Sequence, residues 1–301
     1  MNDKIESNDQ TTRESRDRLH ADAQRAVGGC QNLIREISRV SHQLEPSVHA
    51  EWMVKRALFF AYELVARIGG SESERDRLAL LNRFVFEEKR FECLTDPARL
   101  KDPCEAYRFN SVLANRSGAP TVLALLYAFL ADRIGVKLDF VDLKPTCFLK
   151  WTDINGRSRF IDITRGGATL SSDELIETLH SRFQMTTLNH ASLLETLSFE
   201  AYLTDYLSAL KQALLSRNEP EKLLFLQNTL IAYQPSNLLL LAERAVLHRR
   251  LGNFKSALSD LKRFFAFYEK EKAPPELLKL YEELISLTGR HAHQIETQTE
   301  H

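Results

Sequence analysis

The spacing of apolar residues changes several times along this chain, and each change marks the start of a different predicted element. Up to about residue 20 the sequence is polar and charged, with almost nothing to bury, which predicts a disordered tail. From about His20 onward, apolar residues recur at helical spacing in three successive segments. Leu44-Glu45-Pro46 ends the first segment, Gly69-Gly70 ends the second, and Ser71 or Ser73 caps the third. These three helices are expected to pack against a central core.

The most apolar helix of the chain is predicted at Thr121–Ile134, where only Asp132 and Arg133 are charged. Gly118-Ala119-Pro120 forms the turn before it, and proline suits the first helical position because its φ is already helical. Gly135 ends this helix. A helix that is apolar on nearly every face is buried on most sides, so this segment is predicted to lie at the centre of its domain.

Three strand-like runs follow the central helix. Residues 136–140 alternate apolar and polar with the period of a half-buried strand. CFLKWT and RFIDIT are two further runs, and Asn155-Gly156 between them is typical of a two-residue hairpin turn. Such a turn predicts that the Cys147 and Asp162 side chains share one sheet face as diagonal neighbours, roughly 7–8 Å apart. The predicted cross-strand pairs are Trp151 with Phe160, Leu149 with Asp162, and Cys147 with Thr164.

The C-terminal third of the chain is predicted to be helical and repetitive. The segment LSSDELIETLHSRF forms a helix capped by Ser171 or Ser172, and from about Leu188 onward all apolar spacing is helical. The sequence then resembles itself after a shift of 34 residues, which is the helix–turn–helix period of tetratricopeptide repeats. The aligned positions are Leu223 with Ala257, Leu224 with Leu258, Leu230 with Phe264, residues 217–219 with 251–253, and the mismatched Gln227 with Leu261.

Composition narrows the classes of function. The chain has 301 residues, a hydrophobic fraction of 44%, and 40 Lys and Arg against 41 Asp and Glu. This near-zero net charge gives no electrostatic case for nucleic acid or an anionic membrane as a partner. The N-terminus lacks the apolar core of a signal peptide, and no segment reaches the roughly 20 apolar residues of a membrane span. A cytoplasmic protein is the resulting expectation.

The cysteine pattern indicates neither a disulfide framework nor a metal site. The four cysteines, Cys30, Cys93, Cys104 and Cys147, are scattered and contain no CxxC pair. In a cytoplasmic protein they are expected to be reduced thiols. No cluster of His and Cys has the spacing of a zinc site, so neither a metal nor a cofactor is predicted.

Five segments occur in an order that points to a known family: LNRFVFEEKRF, FNSVLANRSGAPTVLALLY, the Pro145–Phe148 segment, FIDITRGG and the C-terminal repeats. With these segments the chain resembles the transglutaminase-like superfamily, and within it the bacterial SirB-type branch, which carries tetratricopeptide repeats. The resemblance implies an α+β fold. A helical N-terminal segment precedes a papain-like or transglutaminase-like core with a small antiparallel sheet, and α-helical tetratricopeptide-like repeats follow. The implied division is a disordered tail over 1–20, the core with its N-terminal helices over 21–185, repeats over 186–290, and a second disordered tail over 291–301.

The resemblance also implies where catalytic residues would stand. An active member needs a Cys nucleophile at the start of the central helix, where the helix dipole stabilises a thiolate. That position falls at or beside Thr121 in this chain. The family's His base belongs on the first hairpin strand, where this chain has Cys147, and the orienting Asp is present as Asp162. Since no His occurs between His49 and His180, the core cannot supply the missing base locally.

Three explanations of Thr121, Cys147 and Asp162 are open at this point. In the first, all three have ordinary structural roles, and Asp162 is bonded to backbone or to a neighbouring arginine. In the second, Cys147 is a relocated nucleophile that a nearby lysine or a histidine from another segment deprotonates. In the third, the site is a non-catalytic pocket for a peptide or a small ligand.

The leading hypothesis is a cytoplasmic, non-catalytic interaction or regulatory protein, whose degenerate core supports helical repeats that bind a protein or peptide partner. The alternative is a cysteine-dependent hydrolase or acyltransferase that uses Cys147 with Asp162. If the repeats bind the partner, the first helix of each pair is expected to line the groove. The predicted contact residues are Tyr202, Tyr206, Leu240, Glu243, Arg244 and His248.

Overall fold

The computed structural model describes most of the chain, in two compact units. One unit spans Ala26–Ala213 and is called the core unit, and everything from Leu214 onward belongs to the C-terminal unit. The predicted tail over 1–20 and the helix end at Gly69-Gly70 lie outside the described residues. The described ranges are 29–68, 73–141, 143, 147–185 and 195–299.

The division between the two units lies later than the sequence predicts. The predicted repeats begin at residue 186, but contacts place the helix that starts at Phe199 in the core unit as far as Ala213. The physical reason is that its buried tyrosines, Tyr202 and Tyr206, hydrogen-bond to backbone of the core unit. Apolar spacing identifies a helix, but it does not identify the neighbour against which the helix packs.

Three helices open the core unit, as their apolar spacing predicts. On the first, Leu33, Ile34 and Ile37 are buried on the face that packs against the second helix and the central helix. The third begins at Ser73, whose hydroxyl accepts the Asp76 N–H while the Asp76 carboxylate accepts the Ser73 N–H. This reciprocal capping box fixes the helix start. The three helices are α1 (Gly29–Leu44), α2 (Ala50–Val65) and α3 (Glu74–Asn82).

The third predicted helix continues as a π-helix over Arg83–Glu88 and not as an α-helix. The Lys89 N–H accordingly donates to the carbonyl of Phe84, one residue further back than in an α-helix. The consecutive side chains of Phe84 and Val85 are both buried in this wider turn. Apolar spacing does not distinguish the two kinds of helix, so the sequence predicts only that the segment is helical.

Residues 91–108 form an irregular connection, close to the predicted loop with one helical turn. The structure adds a short parallel pairing of two strands, which brings Cys93 opposite Gly118 at the start of the central helix. The short elements in and after this connection are the 3₁₀ turns Pro97–Arg99 and Pro103–Ala106, strands β1 (Glu92–Cys93) and β2 (Ser117–Gly118), and helix α4 (Phe109–Asn115).

Helix α5 (Pro120–Arg133) is the buried centre of the core unit, as predicted. Every side chain from Val122 to Ala131 is buried, and the helix packs against α1, α2 and α3. Pro120 lies in its first turn, and Gly135, with a φ of 73°, lies just past its end. The fixed φ of proline and the freedom of glycine thus set the two ends of this helix.

A four-stranded antiparallel sheet with the order β3-β4-β5-β6 follows α5. The first strand is shorter than the predicted run over 136–140. The next helix packs on β5 and β6, and Ser171 and Glu174 form the capping box at its start, as predicted. The elements are β3 (Asp139–Phe140), β4 (Phe148–Thr152), β5 (Ser158–Asp162), β6 (Ala168–Leu170), α6 (Ser172–Phe183) and α7 (Phe199–Leu214).

The C-terminal unit is built from helices that pack on their neighbours in sequence. Asn218 and Gly252, which the 34-residue shift aligns, both have positive φ, of 41° and 76°. The mismatched Gln227 is fully buried, and its side-chain amide donates to the Leu240 carbonyl at 2.7 Å. A buried partner therefore accounts for the polar residue at an apolar position. The helices are α8 (Pro220–Tyr233), α9 (Leu238–Arg250), α10 (Phe254–Phe267) and α11 (Pro275–Thr299).

The last helix extends into the range of the predicted C-terminal tail. Helix α11 continues to Thr299, through most of the range 291–301 for which the sequence predicts disorder. Polar composition suggests disorder, but the segment contains no proline that would interrupt the backbone hydrogen bonds of a helix.

Candidate functional site

Close backbone packing holds the first turn of helix α5 in place. Gly118 pairs with Cys93 across β1 and β2, and a Cβ on Gly118 would lie only 2.7 Å from Cγ2 of Val112. Thr121 follows at the position predicted for a nucleophile. The Thr121 hydroxyl oxygen is buried and has no hydrogen-bond partner among the described residues. The Thr121 carbonyl accepts a hydrogen bond from the Tyr202 hydroxyl.

The β4–β5 hairpin turns through three residues and not through the predicted two. The Asp153 N–H donates to the Arg157 carbonyl at 3.0 Å, which closes the loop around Ile154, Asn155 and Gly156. The Asp153 carboxylate accepts the N–H groups of Asn155 and Arg157, both at 2.8 Å, and Gly156 has a φ of 76°. An Asp side chain that bonds backbone in this way favours the longer loop. The predicted register is therefore wrong by one residue.

The corrected register separates the Cys147 and Asp162 side chains. Phe148 lies opposite Asp162, and Leu149 lies opposite Ile161. Side chains alternate between the two faces of a strand, so a shift of one residue moves Cys147 to the face away from Asp162. The predicted diagonal contact between the two is wrong, and each side chain has different neighbours.

Asp162 is fully buried, and both of its carboxylate oxygens are bonded. Oδ1 accepts the Thr164 N–H at 2.9 Å and the Thr164 hydroxyl at 2.5 Å. Oδ2 accepts from Nη1 of Arg182, on helix α6, at 3.1 Å. The bond to backbone agrees with the structural explanation, but the arginine comes from a later helix and not from a sequence neighbour. In an active member of the family, the carboxylate at this position would orient the catalytic base. Here both Asp162 oxygens are bonded to Thr164 and Arg182 instead.

The Cys147 thiol is buried beside Tyr202. Its Sγ lies 3.9 Å from the Tyr202 hydroxyl oxygen. Burial raises the pKa of Cys147 to about 12, the bond to Tyr202 opposes this shift, and the charge of Asp205 adds to it. A thiol with this pKa is almost entirely protonated near neutral pH, and the protonated form is a poor nucleophile.

Cys93 also lies near this site, which the sequence does not indicate. The pKa of Cys93 is raised to about 12, mainly by burial and in smaller part by the neighbouring Cys147 and Asp162. The position of Cys93 follows from the parallel pairing of β1 with β2. A pairing of two residues leaves no periodic signal in a sequence, so no pattern could have found it.

Tyr202 and Tyr206 are buried in the core unit, contrary to the prediction that they line an exposed groove. Only 4% and 2% of their surfaces are exposed. The Tyr202 ring centroid lies 3.8 Å from that of Phe140, and burial holds the Tyr202 pKa well above its ordinary value. The Tyr206 hydroxyl donates to the Tyr107 carbonyl at 3.0 Å. Backbone acceptors inside the core satisfy both hydroxyls, so the large aromatic surfaces can be buried.

Of the four predicted contact residues in the C-terminal unit, only Glu243 is exposed. Leu240 is buried, with 8% of its surface exposed. Arg244 forms a two-point ion pair with Asp260, at 2.6 Å and 2.7 Å. His248 is half-buried, and burial lowers its pKa. Leu240, Arg244 and His248 face inward because helix α9 packs against both α8 and α10.

An open hollow of about 490 Å³ lies along helix α6. None of Thr121, Cys147 and Asp162 lines it, so it is not at the position predicted for a ligand pocket. Its lining residues are Asp173, Ile176, Glu177, His180 and Ser181.

Two further features are absent from the part of the chain that the structure describes. None of its helices is long and apolar enough to cross a membrane. It also contains no group of three or more His, Cys, Asp or Glu residues that could hold a metal ion.

The core unit has a buried helix whose start carries Thr121, followed by an antiparallel hairpin that carries Asp162, which is the class of fold that the sequence resemblance implies. A family profile described as the transglutaminase-like superfamily matches residues 32–207. The chain therefore belongs to the transglutaminase-like superfamily.

The curated relatives carry no functional description in their names. A UPF0162 protein of Xylella fastidiosa strain Temecula1 is 25% identical over 195 residues, which cover 64% of this chain and 68% of the relative. A UPF0162 protein of Xylella fastidiosa strain 9a5c is 24% identical over 195 residues, with the same shares of the two chains. No solved structure matches this chain significantly.

Proposed function

We propose that this protein is a non-catalytic, SirB-type member of the superfamily, and that its C-terminal helices are tetratricopeptide-like repeats that bind a protein partner. The observation that carries the proposal is the position of Tyr202. Its hydroxyl donates to the Thr121 carbonyl and lies 3.9 Å from the Cys147 sulfur, between the two positions where nucleophile and base would meet.

Catalysis at these positions would need a thiolate, a base and an orienting carboxylate in mutual contact. The Thr121 hydroxyl has no base beside it among the described residues. The Cys147 thiol is held in its protonated form by burial. The Asp162 carboxylate is bonded to Thr164 and Arg182. Within the described part of the chain, none of Thr121, Cys147 and Asp162 thus has the neighbours that catalysis needs, which supports a structural role for all three residues.

The alternative, a cysteine-dependent hydrolase or acyltransferase, would require Cys147 to be activated. Reactive cysteines have a lowered pKa, which comes from a nearby cation or from a helix N-terminus. The pKa of Cys147 is instead raised to about 12, first by burial. This direction of shift argues against the alternative.

Alkylation separates the two functions. Native protein is treated with iodoacetamide near neutral pH, and the adducts are mapped by mass spectrometry over time. Because Cys147 is buried and protonated, we expect it to react at least about 100-fold more slowly than in urea-unfolded protein. Fast labelling of Cys147 in preference to the half-buried Cys93 would identify a reactive thiol and contradict the proposal.

The partner-binding part of the proposal rests on the C-terminal unit. The 34-residue correspondence of Asn218 and Gly252 supports a repeat, because both turn residues have the left-handed conformation. Helical repeats bind partners on the faces of their helices. On helix α9, Leu239, Glu243 and Val246 form an exposed stripe, with Leu239 57% and Val246 47% exposed. We infer that this stripe, which shares only Glu243 with the predicted set, is the contact surface.

Affinity capture from a cell lysate tests the stripe. Full-length wild-type protein is compared with Leu239→Glu/Val246→Glu, which puts charges where apolar side chains are exposed. Phe267→Ser is the matched control, since Phe267 is an 81% exposed apolar residue on helix α10. We expect partners of the wild type to be lost by the double variant and kept by the control. Identical partner sets for all three proteins would contradict the assignment.

A further inference from the structure

Two arginine side chains share one aromatic ring in the core unit. Cζ of Arg56, on helix α2, lies 4.8 Å from the centroid of the Phe60 ring, and Cζ of Arg116 lies 4.7 Å from the same centroid. Arg56 also lies 5.6 Å from the Phe59 centroid, and Arg116 lies 5.3 Å from the Phe91 centroid. The negative faces of these rings favour cations, so they hold two guanidinium groups close together.

The other charged groups near these rings and near the neighbouring Phe84 ring form ion pairs, although Oε2 of Glu63 is buried without a hydrogen-bond partner among the residues that the structure describes. Once those pairs are set aside, Arg56 and Arg116 remain, and neither has a carboxylate partner within the described ranges. The cluster therefore presents two positive charges that no described acidic side chain neutralises by contact. The pairs set aside are Lys89 with Glu63 at 2.7 Å and Arg67 with Glu88 at 3.1 Å.

Arg116 is held in surroundings that disfavour an unpartnered charge. Its Nη1 is buried and has no acceptor in the described structure. Burial lowers the pKa of Arg116, the charge of Arg56 lowers it further, and Glu63 acts in the opposite direction. The Arg116 backbone has a φ of 58° because Arg116 is the left-handed C-cap of helix α4. A buried guanidinium nitrogen without an acceptor is expected where an anion completes a binding site.

An exposed aromatic stripe runs beside the arginine pair. Trp52, Arg56 and Phe59 follow one another at helical spacing on one face of α2, and Tyr62 continues the line. The exposed fractions are 44% for Trp52, 51% for Phe59 and 70% for Tyr62. Contiguous exposed aromatic residues mark surfaces that a partner covers. A ligand that complements this face needs a negative charge and apolar side chains together.

We propose that Arg56 and Arg116 bind a carboxylate side chain from an acidic and apolar peptide segment of a partner protein, and that Trp52, Phe59 and Tyr62 cover the apolar side chains beside it. A planar guanidinium binds a carboxylate through two parallel N–H bonds, which gives this pair both charge and geometric complementarity. A free phosphate offers only the charge and leaves the aromatic stripe uncovered. This site is in the core unit, so it is an additional binding surface to the one proposed on helix α9.

Two pools of synthetic peptides test the proposal on the full-length protein. The peptides are about nine residues long, acetylated and amidated, with randomised outer positions and with leucine and phenylalanine around a central residue. That residue is glutamate in one pool and glutamine in the other. Peptides retained by immobilised protein are counted by mass spectrometry. We expect the wild type to retain the glutamate pool at least about tenfold better than the glutamine pool.

Arg56→Gln and Arg116→Gln should each remove this preference for glutamate. Arg67→Gln is the matched control, since Arg67 lies over the neighbouring Phe84 ring but is paired with Glu88, and it should keep the preference. Thermal unfolding checks that each variant is folded. Arg56 is partly exposed, so its variant remains informative if Arg116→Gln does not fold. Equal retention of both pools by the wild type, or an unchanged preference in Arg56→Gln, would overturn the proposal.

Inorganic phosphate and Trp52→Ala distinguish a peptide site from a simple anion site. Phosphate cannot cover the aromatic stripe, so we expect it to displace glutamate peptides only at concentrations at least about 100-fold above theirs. Trp52→Ala should weaken retention of both pools while keeping the preference for glutamate. Displacement by phosphate at concentrations equal to those of the peptides, or unchanged retention by Trp52→Ala, would overturn the peptide assignment.

Discussion

The Tyr202 hydroxyl donates a hydrogen bond to the backbone carbonyl of Thr121, so a side chain of helix α7 is tied to the first turn of helix α5. The same ring lies against Phe140 of β3, and the same hydroxyl lies beside Cys147. One residue thus connects three parts of the core unit. This connection accounts for the place of α7 in the core unit, and the family match likewise extends into α7, as far as residue 207.

Tyr202→Phe should destabilise the protein although it keeps the aromatic ring. The substitution removes the donor to the Thr121 carbonyl in buried surroundings, a loss of about 1–2 kcal/mol in the free energy of unfolding. Urea unfolding measures it. Tyr62→Phe is the control, since Tyr62 is 70% exposed and should show no change. A Tyr202→Phe midpoint equal to that of the wild type would show that the bond contributes nothing.

Within the Asp162–Arg182 ion pair, substitution of Asp162 should lower the free energy of unfolding more than substitution of Arg182. Asp162→Ala removes a buried acceptor and should lower the free energy of unfolding by about 2–4 kcal/mol. Arg182→Gln should cost less than about 1 kcal/mol, because the Arg182 side chain is 39% exposed and Thr164 still bonds to the carboxylate. Urea unfolding of both variants checks the order. Equal losses would mean that the ion pair, and not the local backbone bond, is the main contribution.

Local features of the fold could be predicted from the sequence. Pro120 and Gly135 bound the central helix, and Ser171 with Glu174 caps helix α6, because each of these signals acts within one turn of the chain. The sequence correctly predicts the hairpin as an element, but the register it predicts is wrong by one residue. The Asn-Gly signal favours a two-residue turn, whereas the Asp153 carboxylate stabilises a three-residue loop.

Contacts between distant segments could not be predicted. Helical spacing correctly places Tyr202 on a helix, but the same spacing fits a groove-lining residue and a buried one. Arg182 reaches Asp162 only because α6 folds back onto the sheet, and Cys93 reaches the site only through a two-residue strand. The candidate site is therefore where sequence reasoning is weakest, since every neighbour that decides its chemistry comes from another element.

Gly167→Ala should be much more damaging than Gly156→Ala. Both glycines have positive φ, of 77° and 76°. A Cβ at Gly167 would lie 2.0 Å from Oδ1 of Asn82, which also accepts from the Tyr127 hydroxyl, whereas a Cβ at Gly156 would meet nothing within 4 Å. Gly156→Ala thus measures the backbone penalty alone, about 1 kcal/mol, and Gly167→Ala should exceed it by at least about 2 kcal/mol. Similar losses in thermal unfolding would contradict the close contact with Asn82.

The free energy of unfolding should fall as the pH is lowered, and protonation of His248 should account for part of this fall. Burial lowers the His248 pKa below its ordinary value of 6.5, while Asp260 opposes and Arg244 adds to the shift. A lowered folded-state pKa means that the unfolded chain binds the proton more readily, so this contribution is complete above about pH 6.5 and is lost as pH falls through the folded-state pKa. Urea unfolding at about pH 7.5 and pH 5.5 should therefore show a smaller pH dependence for His248→Gln than for the wild type. Carboxylates that do not interact with His248 contribute equally to both proteins, so the difference between them reports on the imidazole and its interaction with Asp260. The same pH dependence in both would show that His248 titrates alike in the folded and unfolded chains.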